Sequence, residues 1–290
     1  MTVPVCGKTA EKDALGLTLA LNAAEDMLQI VIADDQGRLL HSQQICTASR
    51  GVEVLVPALD AAFRLLGKKP EEISRVAVVQ GPGSFTGLRL VSVTAAGLAR
   101  VACASQAGID YMALLARECA PALCVAGADA LLWVLVRARR DLVYMQAFRV
   151  DEKAPSGLCA VTNLEVHPVA PENTAVAQIL DTAASHGCSS ILLAGSGAEG
   201  NRDTLTRGLS VHGAPRVVSL AVRSAGPEKL LAAALAAAYG NEDIVPLYVR
   251  SSDAEENLPQ IAQRLGNDPK ESVQRLFALT HATATDMEGA

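Results

Sequence analysis

The sequence predicts an α/β protein made of two halves with the same order of elements. Three observations predict it. Half of the 290 residues are hydrophobic and only 3% are aromatic, so the core is aliphatic, packed from Ala, Val, Leu and Ile. Short, nearly all-apolar runs of strand length alternate with helical patterns, as in a sheet covered on both faces. The order strand-strand-strand-helix-strand-glycine loop-helix occurs twice, without visible identity between the halves. The length suits one large domain or two of about 100–200 residues each.

Residues 1–14 read as a frayed leader. Leu15–Leu21 and Met27–Ala33 are apolar strands joined by a turn at Asn22-Ala23-Ala24-Glu25-Asp26, and the tight turn Asp34-Asp35-Gln36-Gly37 leads to a third at Leu39–Ile45. Glu53–Leu66 has a helical pattern with Pro57 inside it, so the helix starts near Pro57 or bends there. Arg75–Gln80 is a strand buried on both faces, and Leu88–Cys103 is a helix. The short segment Ala104–Gly108 precedes a helix from Tyr111 to Cys119, N-capped by Asp110. In the second half Leu131–Arg137, Leu142–Arg149 and Leu158–His167 are strands. A helix at Thr174–His186, the strand Ser190–Ala194, the loop Gly195-Ser196-Gly197 and a short helix near Asn201–Arg207 follow. Glu228–Tyr239 is an Ala/Leu-rich helix. The more polar tail holds Pro246–Arg250, helical patterns at Ala254–Leu265 and Pro269–Leu279, and a disordered stretch at 280–290.

Composition excludes several classes. With 25 basic and 31 acidic residues the net charge is −6, without the basic footprint a general nucleic-acid binder needs. The uncharged runs Leu90–Ala99 and Leu230–Ala238 fall short of the ~18–20 residues that cross a bilayer, so no membrane association is expected. No apolar signal segment opens the chain, and seven scattered cysteines form no framework. Reduced thiols and a cytoplasmic location are the expectation. Cys119 and Cys124 are not in C-x-x-C spacing, and the five histidines include no H-x-x-x-H pair, so no metal site is expected. Asp34/Asp35 and Glu71/Glu72 sit in turn or helix-cap settings and read as solvated. Ser84 lacks the G-x-S-x-G elbow of a nucleophile, so no catalytic residue is assigned.

One stretch is specific: Gly81-Pro82-Gly83-Ser84-Phe85-Thr86-Gly87-Leu88-Arg89, a strand-to-helix turn. Glycine permits positive φ, proline stiffens the turn, and Ser84 or Thr86 can cap the helix. Gly81, Gly83, Ser84 and Thr86 read either as a tight capped turn without ligand or as an anion-binding turn whose N–H groups suit phosphate.

This nonapeptide, with the helix of small residues after it, resembles the signature of the TsaB (YeaZ) family. Arg139–Tyr144, Gly195-Ser196-Gly197 and Pro246–Arg250 fall in the family's order, so the resemblance covers about Leu15 to Arg250. It implies the actin/sugar-kinase/Hsp70-like (ASKHA) fold with duplicated βββαβαβα domains: residues 15–109, joined by helix 227–240, then residues 110–226, and a polar helical tail at 241–290. It also implies a part in threonylcarbamoyl modification of the adenosine beside the tRNA anticodon. In that role the chain is a non-catalytic paralogue of TsaD, paired with it through the N-terminal domain and joined by TsaE. Contact with tRNA comes only through the complex, and a homodimer forms in isolation. No cofactor of its own is expected; ATP or ADP belongs, if anywhere, at the partner interface.

The chain departs from the family pattern. Where many members carry Asp-Thr-Ser/Ala-Thr it has Asn22-Ala23-Ala24-Glu25, without the carboxylate and hydroxyls of a phosphate and metal loop. Val52-Glu53 replaces His-Ser or His-Thr, and Arg137 stands at a common aspartate. These departures favour a scaffold over one rival, an active small-molecule kinase or ATPase of the same superfold; the other rival, a stand-alone regulatory homodimer, would use the same apolar helix as the scaffold. For the partner surface the sequence offers the helix Leu88–Cys103. Leu88, Val91, Ser92, Ala95, Ala99 and Ala102 form one stripe at 100° per residue, expected to face the sheet. Arg89, Val93, Ala96 and Arg100 form the next, with Gly97, and are expected to face a partner.

Overall fold

The computed structural model describes residues 16–46, 50–139, 141–169, 174–211, 214–249, 253–271 and 274–275. The leader 1–14, the stretch 280–290 and most of Pro269–Leu279 lie outside the described residues. The chain divides into two compact units, Met1–Leu247 and Tyr248–Ala290.

The first unit opens with β1 (Leu17–Asn22), β2 (Met27–Ala33) and β3 (Leu39–Cys46). All six β1 residues are buried, because the strand is covered on both faces. α1 (Gly51–Leu66) continues through Pro57, starting six residues before it. Pro57 offers no N–H to the Glu53 carbonyl, and both residues are exposed, so water can serve that acceptor. β4 (Ile73–Gly81) leads into α2 (Phe85–Ala102), and β5 (Ser105–Asp110) closes the sheet in the order β3-β2-β1-β4-β5. β1 is antiparallel to β2 and parallel to β4, with Leu19 opposite Ile32 and Val76.

α3 (Tyr111–Ala126) begins at its predicted N-cap, where the Asp110 carboxylate accepts the Ala113 N–H at 2.8 Å. It runs past Cys119 and through Pro121. β6 (Ala130–Arg139) and β7 (Leu142–Val150) form the next antiparallel pair. The expected strand Leu158–His167 is two strands, β8 (Leu158–Ala160) and β9 (Glu165–Pro168), paired with successive stretches of β7. Thr162 breaks the ladder: its hydroxyl accepts the Ala147 N–H at 2.9 Å in place of a backbone carbonyl. Then come α4 (Thr174–Ser185), β10 (Ser190–Ala194), α5 (Ser196–Gly200), α6 (Arg202–Val211) and β11 (Arg216–Ser219). The expected glycine loop is thus the start of a short helix. The second sheet has the order β8-β7-β6-β10-β11, the same path as the first with β8 and β9 in the place of β3.

α7 (Pro227–Leu235) returns to the first sheet, ending short of the expected Tyr239. Alternate residues of each strand feed different cores. Leu17, Leu19, Leu21, Leu28, Ile30 and Ile32 meet Leu55, Leu59 and Phe63 of α1 and Val91, Ala95 and Ala102 of α2. The opposite face meets α7, which packs on α3, which in turn packs on β6 and β7. Trp133, Leu135, Val143 and Met145 face Val176 and Ile179 of α4 and Leu205 and Leu209 of α6. Each large aliphatic side chain buried this way contributes about 1.5–3 kcal/mol, which offsets the ordering of the chain. In the second unit, α8 (Asp253–Arg264) is a polar helix.

α2 has 18 residues and a mean hydropathy of 1.2, just long and apolar enough to cross a bilayer, contrary to the shorter apolar run read from the sequence. Leu88, Val91, Ser92, Ala95 and Ala99 are instead buried in the protein. Cys103, in the left-handed conformation at its C-cap, is disulfide-bonded. That departs from the expectation of reduced thiols, since scattered spacing hides a single pairing; Cys46, Cys119, Cys124, Cys159 and Cys188 are free.

Candidate functional site: the β1–β2 turn and the face of α2

The specific nonapeptide is built around the β1–β2 turn. The Asn22 side chain accepts the Ala24 N–H at 2.9 Å, and its amide donates to Gln29 Oε1 at 2.5 Å. Gln29 Nε2 donates onward to the Ala225 carbonyl at 2.8 Å. Both side chains are buried and satisfied inside the protein. Against this turn lies the start of α2. The Ser84 N–H donates to the Ala24 carbonyl at 2.6 Å, and the Ser84 hydroxyl accepts the Gly87 N–H at 3.3 Å. A Cβ at Gly83 would stand 2.1 Å from the Ala24 oxygen, and one at Gly87 only 2.0 Å from the Ala23 oxygen. The glycines of the motif are therefore required by close backbone approach. Gly81, at φ +126°, lies beside the Leu247 carbonyl, and the Leu247 N–H donates to the Gln80 carbonyl at 2.6 Å.

This arrangement makes Gly81, Gly83 and Ser84 a packed, capped turn. Thr86 is exposed at a cavity of about 180 Å³ that Glu25 and Asp26 also line, a poor setting for an anion.

The outward stripe of α2 divides into three cases. Arg89 is exposed with its guanidinium over the Phe85 ring, 4.4 Å from the centroid; Val93 is 67% exposed, and Gly97 faces open space. Ala96 is 8% exposed and belongs to the inward side, a correction to the stripe. At 100° per residue it sits beside Ser92, Ala95 and Ala99, and a methyl group is short enough to fall under their cover. Arg100 points outward but is engaged within the chain by Asp243, whose other carboxylate oxygen accepts Gln106 Nε2 at 3.2 Å. Those two donors hold the Asp243 carboxyl below its usual range. Sequence reasoning missed Val101, 63% exposed, and Val52 and Val56 on α1, 63% and 61% exposed. Their i, i+4 and i, i+8 spacing was the available signal.

A second cavity, about 260 Å³, lies between the two sheets and is lined by Glu25, Tyr111, Arg137, Ser196 and Arg223. Tyr111 Oη donates to Glu25 Oε2 at 2.7 Å, and Arg137 pairs with Asp26 at 3.1 Å. Burial pushes the Glu25 carboxyl up, while the Ser196 and Tyr111 hydroxyls and the Arg137 charge pull it back. Burial and the Glu25 carboxylate raise the Tyr111 phenol well above its ordinary range. Among the described residues no three His, Cys, Asp or Glu side chains are grouped to hold a metal ion.

The model of the TsaD family, tRNA N6-adenosine threonylcarbamoyltransferase, matches residues 46–258, well over half of the chain. The chain belongs to the TsaD family. No curated protein sequence matches it. Among solved structures it is similar to a Pseudomonas aeruginosa protein described as resembling peptidase YeaZ, with 20% identity and a TM-score of 0.60. The match covers 81% of this chain and 100% of that one. It is also similar to YeaZ from Pseudomonas aeruginosa, at 18% identity, a TM-score of 0.57 and the same coverage. This member of the TsaD family therefore has the YeaZ (TsaB) fold, the ASKHA arrangement of two like-topology sheets.

Proposed function

We propose that this chain serves tRNA threonylcarbamoyl modification as a non-catalytic scaffold that pairs with TsaD, joined by TsaE. Membership of the TsaD family supports the pathway. The observation that carries the scaffold role is the uncovered apolar face of α1 and α2, where Val52, Val56, Val93 and Val101 are each more than 60% exposed. Exposed valines on adjoining helices suit an apolar partner surface. Arg89 at the edge adds the planar cation enriched at such surfaces. The Asn22-Ala23-Ala24 turn supports the lack of catalysis, because its polar groups are spent on its own backbone and on Gln29. On this reading ATP or ADP would bind only at the partner interface, tRNA would be reached only through the complex, and the location is the cytoplasm. In isolation the same face pairs two copies.

Val93→Asp tests the proposal. The variant monomer keeps its melting temperature, since the site is exposed, but loses TsaD in a pull-down because an unpaired carboxylate would be buried at the contact. Ala95→Asp, at a position with no exposure, damages folding instead. Capture of TsaD by Val93→Asp at the wild-type level refutes this face as the scaffold surface.

A further inference from the structure

Several features prove to carry nothing beyond their packing: the acidic cavity at Asp34, Asp35, Glu71 and Glu72, the cavity beside Asp110, and the buried Trp133 indole. The cavity between the sheets carries more. Polar contacts across it start from Glu25, Asp26, Met27 and Gln29 on the first-sheet side. Glu25 takes the hydroxyl of Tyr111 at 2.7 Å, and Ser196, from the second sheet's β10–α5 junction, lines the same cavity. Ser196 Oγ accepts the Arg137 backbone N–H at 3.0 Å, which leaves its hydroxyl proton for an acceptor in the cavity. Asp26 takes the Arg137 guanidinium at 3.1 Å. Met27 Sδ lies 3.7 Å from the Ser224 hydroxyl, and Gln29 Nε2 donates to the Ala225 carbonyl at 2.8 Å; Ser224 and Ala225 belong to the segment that leaves the second sheet.

We infer that the β1–β2 turn and the start of β2 form an internal clasp that holds the two sheets in one relative orientation without any ligand. Its strength is uneven. The Arg137–Asp26 pair is exposed, 61% and 76% for the two side chains, and contributes little. The Glu25 side chain is half-buried and accepts the Tyr111 hydroxyl, and a bond to a charged acceptor contributes more than an exposed ion pair. The Ala24 carbonyl that receives the Ser84 N–H sits in the same turn as Glu25 and Asp26, so the turn that seats α2 also grips the second sheet. This inference does not rest on the scaffold reading and holds whether or not the chain binds TsaD.

Hydrogen exchange by mass spectrometry on the full chain tests it. Glu25→Ala should speed exchange about tenfold or more in 22–29 and, across the cavity, in 196–200 and 223–225. The central strand segments 76–79 and 132–135 should stay protected. Arg137→Ala should change all of these little. Tyr111→Phe, which removes one hydroxyl and keeps the ring, should give a smaller rise in the same peptides. It also decides the matter should Glu25→Ala fail to fold. Faster exchange confined to 22–29, with 196–200 and 223–225 unchanged in both variants, overturns the clasp. So does an Arg137→Ala effect equal to that of Glu25→Ala.

Discussion

Gly83→Ala should destabilise the protein by about 2–4 kcal/mol, and the number can be worked from the turn. The added methyl would sit 2.1 Å from the Ala24 oxygen, against a carbonyl that cannot rotate away as a side chain can. Either α2 lifts or the turn retreats. In both cases the 2.6 Å bond from Ser84 N–H to Ala24 is lost, which costs about 1 kcal/mol, and overpacking adds about 1–3 kcal/mol. For a unit of this size that lowers Tm by roughly 5–15 °C, at 2–4 °C per kcal/mol. Gly97→Ala is the internal control on the same helix. A Cβ there meets nothing within 4 Å, so the change collects only the helix propensity difference of about 0.8–1 kcal/mol and raises Tm. Calorimetric or dichroism melts of the two variants beside wild type read both shifts. Equal melting temperatures for Gly83→Ala and wild type would refute the claim that close approach, not anion binding, explains this glycine.

Three further outcomes follow from burial, charge and the chain's return across the first sheet. Cys119, whose thiol burial pushes up to about 12, should resist alkylation in the folded protein at neutral pH, whereas exposed Cys124 should react; mass spectrometry of the labelled peptides distinguishes them. Glu25 binds its proton more readily folded than unfolded, so its contribution to stability falls as pH rises from about 4.5 through its raised folded value. The stability of Glu25→Gln relative to wild type should therefore climb over that interval in denaturant titrations, and a falling difference would contradict the raised carboxyl. A chain ended after Tyr239 loses the Gln106–Gly240 backbone pair and the Arg100–Asp243 bridge and should melt well below one ended after Tyr248, which keeps both.

What the sequence could show was whatever is local. Met27–Ala33 and Ser190–Ala194 were legible to the residue because each is an apolar run bounded by turn chemistry, and Asp110 because an N-cap acts within three residues. β11 was not: Arg216–Ser219 is four residues long and half exposed, so its pattern carries no alternation to read. The signature glycines were visible as a motif, but their reason was not. It comes from two carbonyls about sixty residues upstream, and only the fold brings them within 3 Å of a missing methyl. The same is true of the groups that surround Glu25. Tyr111 is 86 positions away, and Ser196 belongs to the other half of the duplication.

Arg100 shows the limit most clearly. Helical arithmetic put it on the outer face, correctly, and the aversion of arginine for a dry core then argued for a partner. The partner it has is Asp243, 143 residues on, carried there when the chain returns from α7 along β5. Periodicity tells which way a side chain points, and only the path of the rest of the chain tells what is waiting there. Val93 and Val101, which that path leaves bare, therefore support the proposed docking face better than Arg100, whose guanidinium is engaged within the chain.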